Sequence, residues 1–188
     1  MRRFIIDTDT ASDDALAIIL ALREPSVKVE AITTVMGNVP LATATRNALI
    51  SVEKAGTYAP PVYVGCGIPL VAIPRTAQHV HGEDGLGNMF YPDPTLKTEP
   101  EHAVDAMLRI IEENSEDLEL ITLGPLTNIA MAMRMGPDTM RKIKKITIMG
   151  GSNVGFNAYT ATSEFNIIVD AEAAKIVFEF GIPIVLAP

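Results

Sequence analysis

Apolar and polar positions alternate along this chain in blocks, and the blocks switch period. Phe4-Ile5-Ile6 is a short apolar run of strand type that ends in carboxylates. Ser12 to Leu22 then places Ala15, Leu16, Ile18, Ile19 and Leu22 at helical spacing, with Ser12 as the expected N-cap and Asp13 and Asp14 in the first turn, where the helix dipole favours negative charge. Val27 to Thr34 reads as a strand, Pro40 to Lys54 as a helix on Ala44, Ala48, Leu49 and Val52, and Pro61 to Val64 as a third strand. From Gly65 to Pro100 the periodicity breaks down, so a long loop is expected, and loops of that length in compact domains usually carry function. Helices at His102 to Glu113, Leu126 to Met135 and Ala171 to Phe180 alternate with strands at Leu118 to Leu123, Lys145 to Met149 and Pro183 to Leu186. This alternation predicts an α/β fold: an open, mostly parallel sheet with helices on both faces, in one domain spanning 1–188. The last strand is apolar and of the buried type, which gives the expectation of a domain incomplete at its C-terminus or completed by another chain.

In parallel sheets ligands bind beyond the carboxyl ends of the strands. The residues delivered there are mostly oxygen donors: Asp7-Thr8-Asp9-Thr10 with Asp13 and Asp14, then Gly37-Asn38, Gly124 to Asn128, Gly150 to Asn153, and Glu164, Asn166 and Asp170 before the last helix. Four carboxylates within eight residues repel one another unless some are protonated or a cation sits among them, and carboxylates with backbone carbonyls are the ligands of Ca²⁺ or Mg²⁺. The alternative is local: Asp13 and Asp14 favour the helix start while Asp7 and Asp9 make turn hydrogen bonds. No Cys/His zinc spacing, Gly-rich dinucleotide fingerprint or phosphate-loop Lys is present. His79 and His81, read as a His-x-His pair in a strand, offer a transition-metal alternative.

Charge narrows the partners. The 188 residues hold 15 Lys+Arg against 23 Asp+Glu, a net charge of −8, which disfavours nucleic acid and anionic membrane surfaces. The single cysteine, Cys66, excludes an internal disulfide and fits a reducing, cytoplasmic setting. It reads as a small buried or half-buried residue with no base placed to activate it. Met131, Met133 and Met135 read as helix packing.

Asp7-Thr8-Asp9-Thr10-Ala11-Ser12-Asp13-Asp14-Ala15 resembles the N-terminal signature Asp-x-Asp-Pro-Gly-x-Asp-Asp-Ala of the inosine–uridine-preferring nucleoside hydrolases, with Thr10-Ala11 in place of Pro-Gly. Thr33 to Val39, His81 to Gly87, Gly124 to Ala130, and Glu164 to Ile167 with Asp170 are similar to the same family, in family order. The resemblance implies a nucleoside hydrolase-like fold with a Rossmann-like core. It implies Ca²⁺-dependent hydrolysis of the N-glycosidic bond of purine or pyrimidine ribonucleosides, and assembly as a dimer or tetramer. Asp9, Asp14 and the Leu123 carbonyl are then the Ca²⁺ ligands. Asp9 doubles as general base, Asn38 orients water and ribose, and Asp13, Asn157, Glu164 and Asn166 hold ribose hydroxyls. His81 is the base-side histidine. Full-length members carry a further His and Asp beyond this point, so impaired activity is expected of these 188 residues, with a non-catalytic nucleoside- or ribose-binding remnant or subunit as the alternative. A strand ending in Asp-x-Asp also opens haloacid-dehalogenase-type phosphatases, but these want Thr or Val where Ala11 stands.

Overall fold

The computed structural model describes residues 1–114, 117–152 and 163–188. Strands β1 (Arg2–Thr8), β2 (Val27–Thr34), β3 (Val62–Val64), β4 (Glu99–His102), β5 (Leu118–Thr122), β6 (Ile146–Met149) and β7 (Ile184–Ala187) form one sheet in the order β4-β3-β2-β1-β5-β6-β7. Every neighbouring pair is parallel. The helices between them are α1 (Ser12–Arg23), α2 (Leu41–Ala55), α3 (Gln78–His81), α4 (Ala103–Glu113), α5 (Thr127–Met135), α6 (Pro137–Met140), α7 (Phe165–Val169) and α8 (Ala171–Glu179).

Two apolar layers follow from the period-2 alternation of the strands. Ile6, Val29, Ile32 and Val62 pack against Ile18 and Leu22 of α1 and Ala48, Leu49 and Val52 of α2. On the opposite face Ile5, Leu120, Ile146 and Ile148 pack against Met107 and Ile111 of α4, Ile129 and Met133 of α5, and Ala173 and Val177 of α8. Each large side chain removed fully from water contributes about 1.5–3 kcal/mol. At the β1–β2 pair, Phe4 faces Val29 but Ile5 faces Ala31, so Glu30 is an extra residue, held by Arg3 at 2.8 Å. Among the described residues no helix is long and apolar enough to cross a membrane.

Several elements differ from expectation. The stretch expected to be a long loop contains α3 and β4. His79 and His81 therefore lie in a single helical turn rather than a strand, which removes the geometry a His-x-His strand pair would have. Ala11, not Ser12, is the N-cap of α1, in extended backbone and without a side-chain cap. Its φ of −103° is ordinary, so the Thr10-Ala11 replacement does not force the turn. Met133 is buried and Met131 packs on the core, but Met135 is exposed.

Candidate active site at the carboxyl edge of the sheet

β1 pairs with β2 on one side and β5 on the other, with Thr8 opposite Thr34 and Asp7 opposite Thr122. The chain turns left to β2 after β1 and is carried right to β5 later, so the β1/β5 edge is the topological switch point where such sheets bind ligands. Asp9, Val35 and Leu123 emerge there together: the Val35 N–H donates to the Thr8 carbonyl at 3.0 Å, and the Leu123 N–H to the Asp7 carbonyl at 2.8 Å.

Asp7, Asp9 and Asp14 are buried, whereas the Asp13 side chain is 59% exposed. The Asp9 Oδ2 accepts from the Asn38 backbone N–H at 2.5 Å, and its Oδ1 is buried with no hydrogen-bond partner. Gly37 and Gly124 close around this carboxylate. A Cβ at Gly37 would lie 2.1 Å from Oδ2, and one at Gly124 2.8 Å from Oδ1. Asp14 reaches the same place from the first turn of α1 and is held by the Thr8 hydroxyl, which donates to its Oδ2 at 2.8 Å. The one Thr8 hydrogen is thereby committed, so in the 3.0 Å contact between Thr8 and Thr10 the Thr10 hydroxyl is the donor. Burial raises the Asp9 pKa to about 6 against the lowering effect of the Asn38 N–H and of the Asp14 side chain. Burial first, and then the Asp9 charge beside it, pushes Asp14 well above the usual carboxylate range. Two carboxylates so placed share a proton or a cation.

The buried, unpartnered Oδ1 of Asp9 is the observation that tests for a cation. A carboxylate oxygen without a donor, facing a second buried carboxylate in a cradle only glycines leave open, suits a hard divalent ion. Leu123 lies next to it, and its carbonyl accepts from the Asn166 Nδ2 at 2.8 Å with a second lone pair to spare. The Asn166 Oδ1, like that of Asp9, is buried and unpartnered. Among the described residues no group of three or more His, Cys, Asp or Glu is gathered as a metal site. The candidate donor set is thus two carboxylates and a carbonyl.

The other expected residues are distributed around this pair. Glu164 caps α7: its Oε1 accepts from the Asn166 N–H at 2.9 Å, and its Oε2 from Ile167 and Gly151 at 3.2 and 3.3 Å. Its carboxylate therefore places α7, and with it Asn166, as well as facing the edge. Asn38 reaches Asp9 through its backbone, and its carbonyl accepts from the Ala77 N–H at 2.8 Å, which anchors the start of α3. His81, the last residue of α3, lies 3.9 Å from Asp13 and 3.0 Å from the Ser12 hydroxyl. Asn157 lies outside the described residues.

Asn128 and Asp170, which the sequence places at the strand ends without a role, and Asn47, which it does not single out, hold this arrangement together. Asn128, at the start of α5, donates from Nδ2 to Asp7 Oδ1 at 2.8 Å and to the Thr34 carbonyl at 3.0 Å, and accepts the Cys66 N–H at 2.8 Å. Asn47 of α2 donates to the Thr10 carbonyl at 3.1 Å and the Asp84 carbonyl at 2.8 Å, joining the first turn to the segment after α3. Asp170 caps α8 and accepts from Leu70 N–H at 2.9 Å and from the Thr127 hydroxyl at 2.7 Å. The one available signal was a polar side chain beside buried alanines, as at Asn47 next to Ala48.

Cys66 is half-buried, as expected. Burial, then the charges of Asp7 and Asp170, push its thiol up to about 11. An acid whose folded pKa is raised stays protonated longer as pH rises, so the reactive thiolate at neutral pH is ~100-fold scarcer than for an ordinary cysteine. Iodoacetamide labelling followed by mass spectrometry should be slower by about that factor in the native protein than in the denatured one. Equal rates would show the thiol to be unperturbed.

Comparisons with known proteins speak to the family and the fold. Residues 4–188 match the Inosine-uridine preferring nucleoside hydrolase family. The Inosine-uridine preferring nucleoside hydrolase of Crithidia fasciculata is 42% identical over 179 residues, covering 94% of this chain and 56% of that protein. Among solved structures, a plant nucleoside hydrolase, the PpNRh1 enzyme, superposes with a TM-score of 0.93 at 39% identity, over 99% of this chain and 59% of that one. The Purine-Preferring Ribonucleoside Hydrolase from Gardnerella vaginalis gives 0.92 at 34%, over 98% and 60%. The chain thus spans 60% or less of the length of each of these three proteins. With a family match along nearly its whole length and the same seven-stranded parallel sheet, the chain belongs to the inosine-uridine preferring nucleoside hydrolase family.

Proposed function

We propose that this site hydrolyses the N-glycosidic bond of purine or pyrimidine ribonucleosides, and that Ca²⁺ is the ion it uses. The observation that carries the reading is the buried Asp9 carboxylate, unpartnered at Oδ1 and set against Asp14 at the switch point. Asp9, Asp14 and the Leu123 carbonyl would hold the ion. When bound, Ca²⁺ supplies positive charge that lowers the pKa of water and binds vicinal hydroxyls.

The chain's own residues do the rest. Cleavage of the bond builds positive charge on the ribose ring, which the buried carboxylates stabilise in a site of low dielectric. Asp9 takes the proton of the attacking water. Asn38, fixed by its N–H on Asp9, orients water and ribose. Asp13, Glu164 and Asn166 receive the ribose hydroxyls, with the unpartnered Asn166 Oδ1 as a ready acceptor. Asn157 is proposed as a further ribose contact. His81, at the rim beside exposed Asp13, faces the leaving base. Self-association into dimers or tetramers and a cytoplasmic location belong to the same proposal.

The donor set also favours a second reading, ribose binding with impaired or no turnover. Asp9, Asp14 and Leu123 offer about four oxygens of the 6–8 that Ca²⁺ takes, so the shell needs further donors, among which water and the ribose diol would count. The two readings separate on p-nitrophenyl riboside, whose leaving group needs no proton. With Ca²⁺ present, initial-rate assays should show its turnover exceeding that of inosine or uridine by roughly 10²-fold or more. Binding of ribose without turnover of either substrate would establish the second reading in place of the first.

A further inference from the structure

The first turn of α1 serves two directions. Asp14 points into the buried pair with Asp9, whereas Ser12 and Asp13 meet the imidazole of His81. The Ser12 Oγ is 3.0 Å from His81 Nδ1, and the Asp13 Oδ1 is 3.9 Å from the same nitrogen. Both groups near Nδ1 can accept a hydrogen bond, and one carries a negative charge, so this surrounding favours a hydrogen on Nδ1.

The backbone holds the ring against this turn. Val80 and His81 N–H both donate to the Ala77 carbonyl, at 2.8 and 3.1 Å, and the Gly87 N–H donates to the His81 carbonyl at 2.8 Å. Ala77 in turn hangs on the Asn38 carbonyl, and Asn38 N–H on Asp9. Asp9 and His81 are therefore connected through two residues, Asn38 and Ala77. Gly82 continues the chain at φ +86°, where a Cβ would meet the Asn88 backbone at 2.8 Å, so a tight turn closes immediately behind the histidine.

We propose that Ser12 is a positioning residue for the departing nucleobase: its hydroxyl oxygen accepts Nδ1–H of His81, holds the ring in one orientation, and leaves Nε2 as the nitrogen that donates to the base. The inference rests on the ribonucleoside reading for the identity of the ligand, but the Ser12–His81 contact stands on geometry alone. The proton balance is simple. The imidazolium begins with hydrogen on both nitrogens. As the C–N glycosidic bond breaks, its electron pair passes to the nucleobase nitrogen, and the base takes the Nε2 proton. The attacking water forms the new C–O bond and gives its proton to Asp9. His81 is left neutral with hydrogen on Nδ1 only, still donating to Ser12 beside Asp13.

Neutral histidine in water prefers the hydrogen on Nε2, so the proposed state has a distinct signature. Long-range ¹H–¹⁵N correlation spectra of ¹⁵N-histidine-labelled protein, taken above the imidazole titration, resolve the tautomer of each ring. The chain has three histidines, and His81→Gln assigns the signals. His102 is an internal contrast, because its Nδ1 accepts from the Val104 N–H at 3.3 Å and must carry its hydrogen on Nε2. Wild-type His81 is expected as the Nδ1–H form. Ser12→Ala should return it to the Nε2–H form, and Ser12→Thr, which keeps a hydroxyl, should restore Nδ1–H. Calorimetry in the presence of Ca²⁺ adds the functional readout. Ser12→Ala should weaken inosine by about 3–10-fold, the worth of one hydrogen bond, and leave free ribose unchanged. An Nε2–H ring in the wild type, or a tautomer indifferent to Ser12→Ala, overturns the positioning role. Equal losses for inosine and ribose overturn its assignment to the leaving base. Failure of the wild type to bind either compound overturns the ribonucleoside reading instead, a result the tautomer spectra separate from failure of the Ser12 contact.

Discussion

Replacing Asp9 by alanine is expected to cut turnover of p-nitrophenyl riboside by at least ~10³-fold while the protein stays folded. The loss is large because one side chain serves as proton acceptor and as half of the buried carboxylate pair. The fold survives because the Asp9 carboxylate ties down the Asn38 N–H through Oδ2 but packs no core element, and its removal also relieves a desolvated negative charge beside Asp14. Initial rates with a circular-dichroism melt as the folding control make the check. Asp9→Asn, which keeps the shape and the Asn38 contact, should be almost as inactive. Activity within tenfold of wild type for either variant would remove Asp9 from the chemistry.

The second large effect is on stability and lies at a residue with no chemical role. Asn128→Leu keeps the volume but leaves the Cys66 N–H without its acceptor, and withdraws one donor from Asp7 Oδ1 and one from the Thr34 carbonyl. Asp7 keeps the Thr33 hydroxyl, and the Thr34 carbonyl keeps the Gly65 N–H, so the full cost falls on the Cys66 amide and a partial one on the others. Buried groups stripped of partners cost about 1–3 kcal/mol each, which gives roughly 3–5 kcal/mol in all. At about 2–4 °C per kcal/mol for a chain of this size, thermal melts should fall by about 6–20 °C. A shift under about 2 °C would mean that water replaces the side chain there.

The contrast between these two residues shows what could be read from the chain. β1, α1, β2 and α2 are legible because Ile5 and Ile6 diverge to opposite faces with period 2, and Ile18, Leu22, Ala48 and Val52 repeat with helical spacing. β4 is not, because Glu99-Pro100-Glu101-His102 is an edge strand with no buried face to impose alternation. The single turns α3 and α6 are too short to show a period. At the site, Asp9, Asp14 and Asn38 could be named because residue type and strand-end position coincide. Asn128 stands at a strand end too, but its role is not legible: its partners Cys66, Thr34 and Asp7 lie 62, 94 and 121 residues away, and only the closed sheet brings them together. Ser12 before an apolar helical pattern predicts a helix cap, the commonest use of serine at that position. Its hydroxyl instead engages His81, 69 residues on.

Titration calorimetry of Ca²⁺ into the metal-stripped protein tests the central claim most directly, that Asp9 and Asp14 form a cation site at the β1/β5 edge. Wild-type protein is expected to give a saturable binding isotherm that is lost in Asp14→Ala. Superimposable isotherms for the two proteins, whether both bind or neither does, would contradict it.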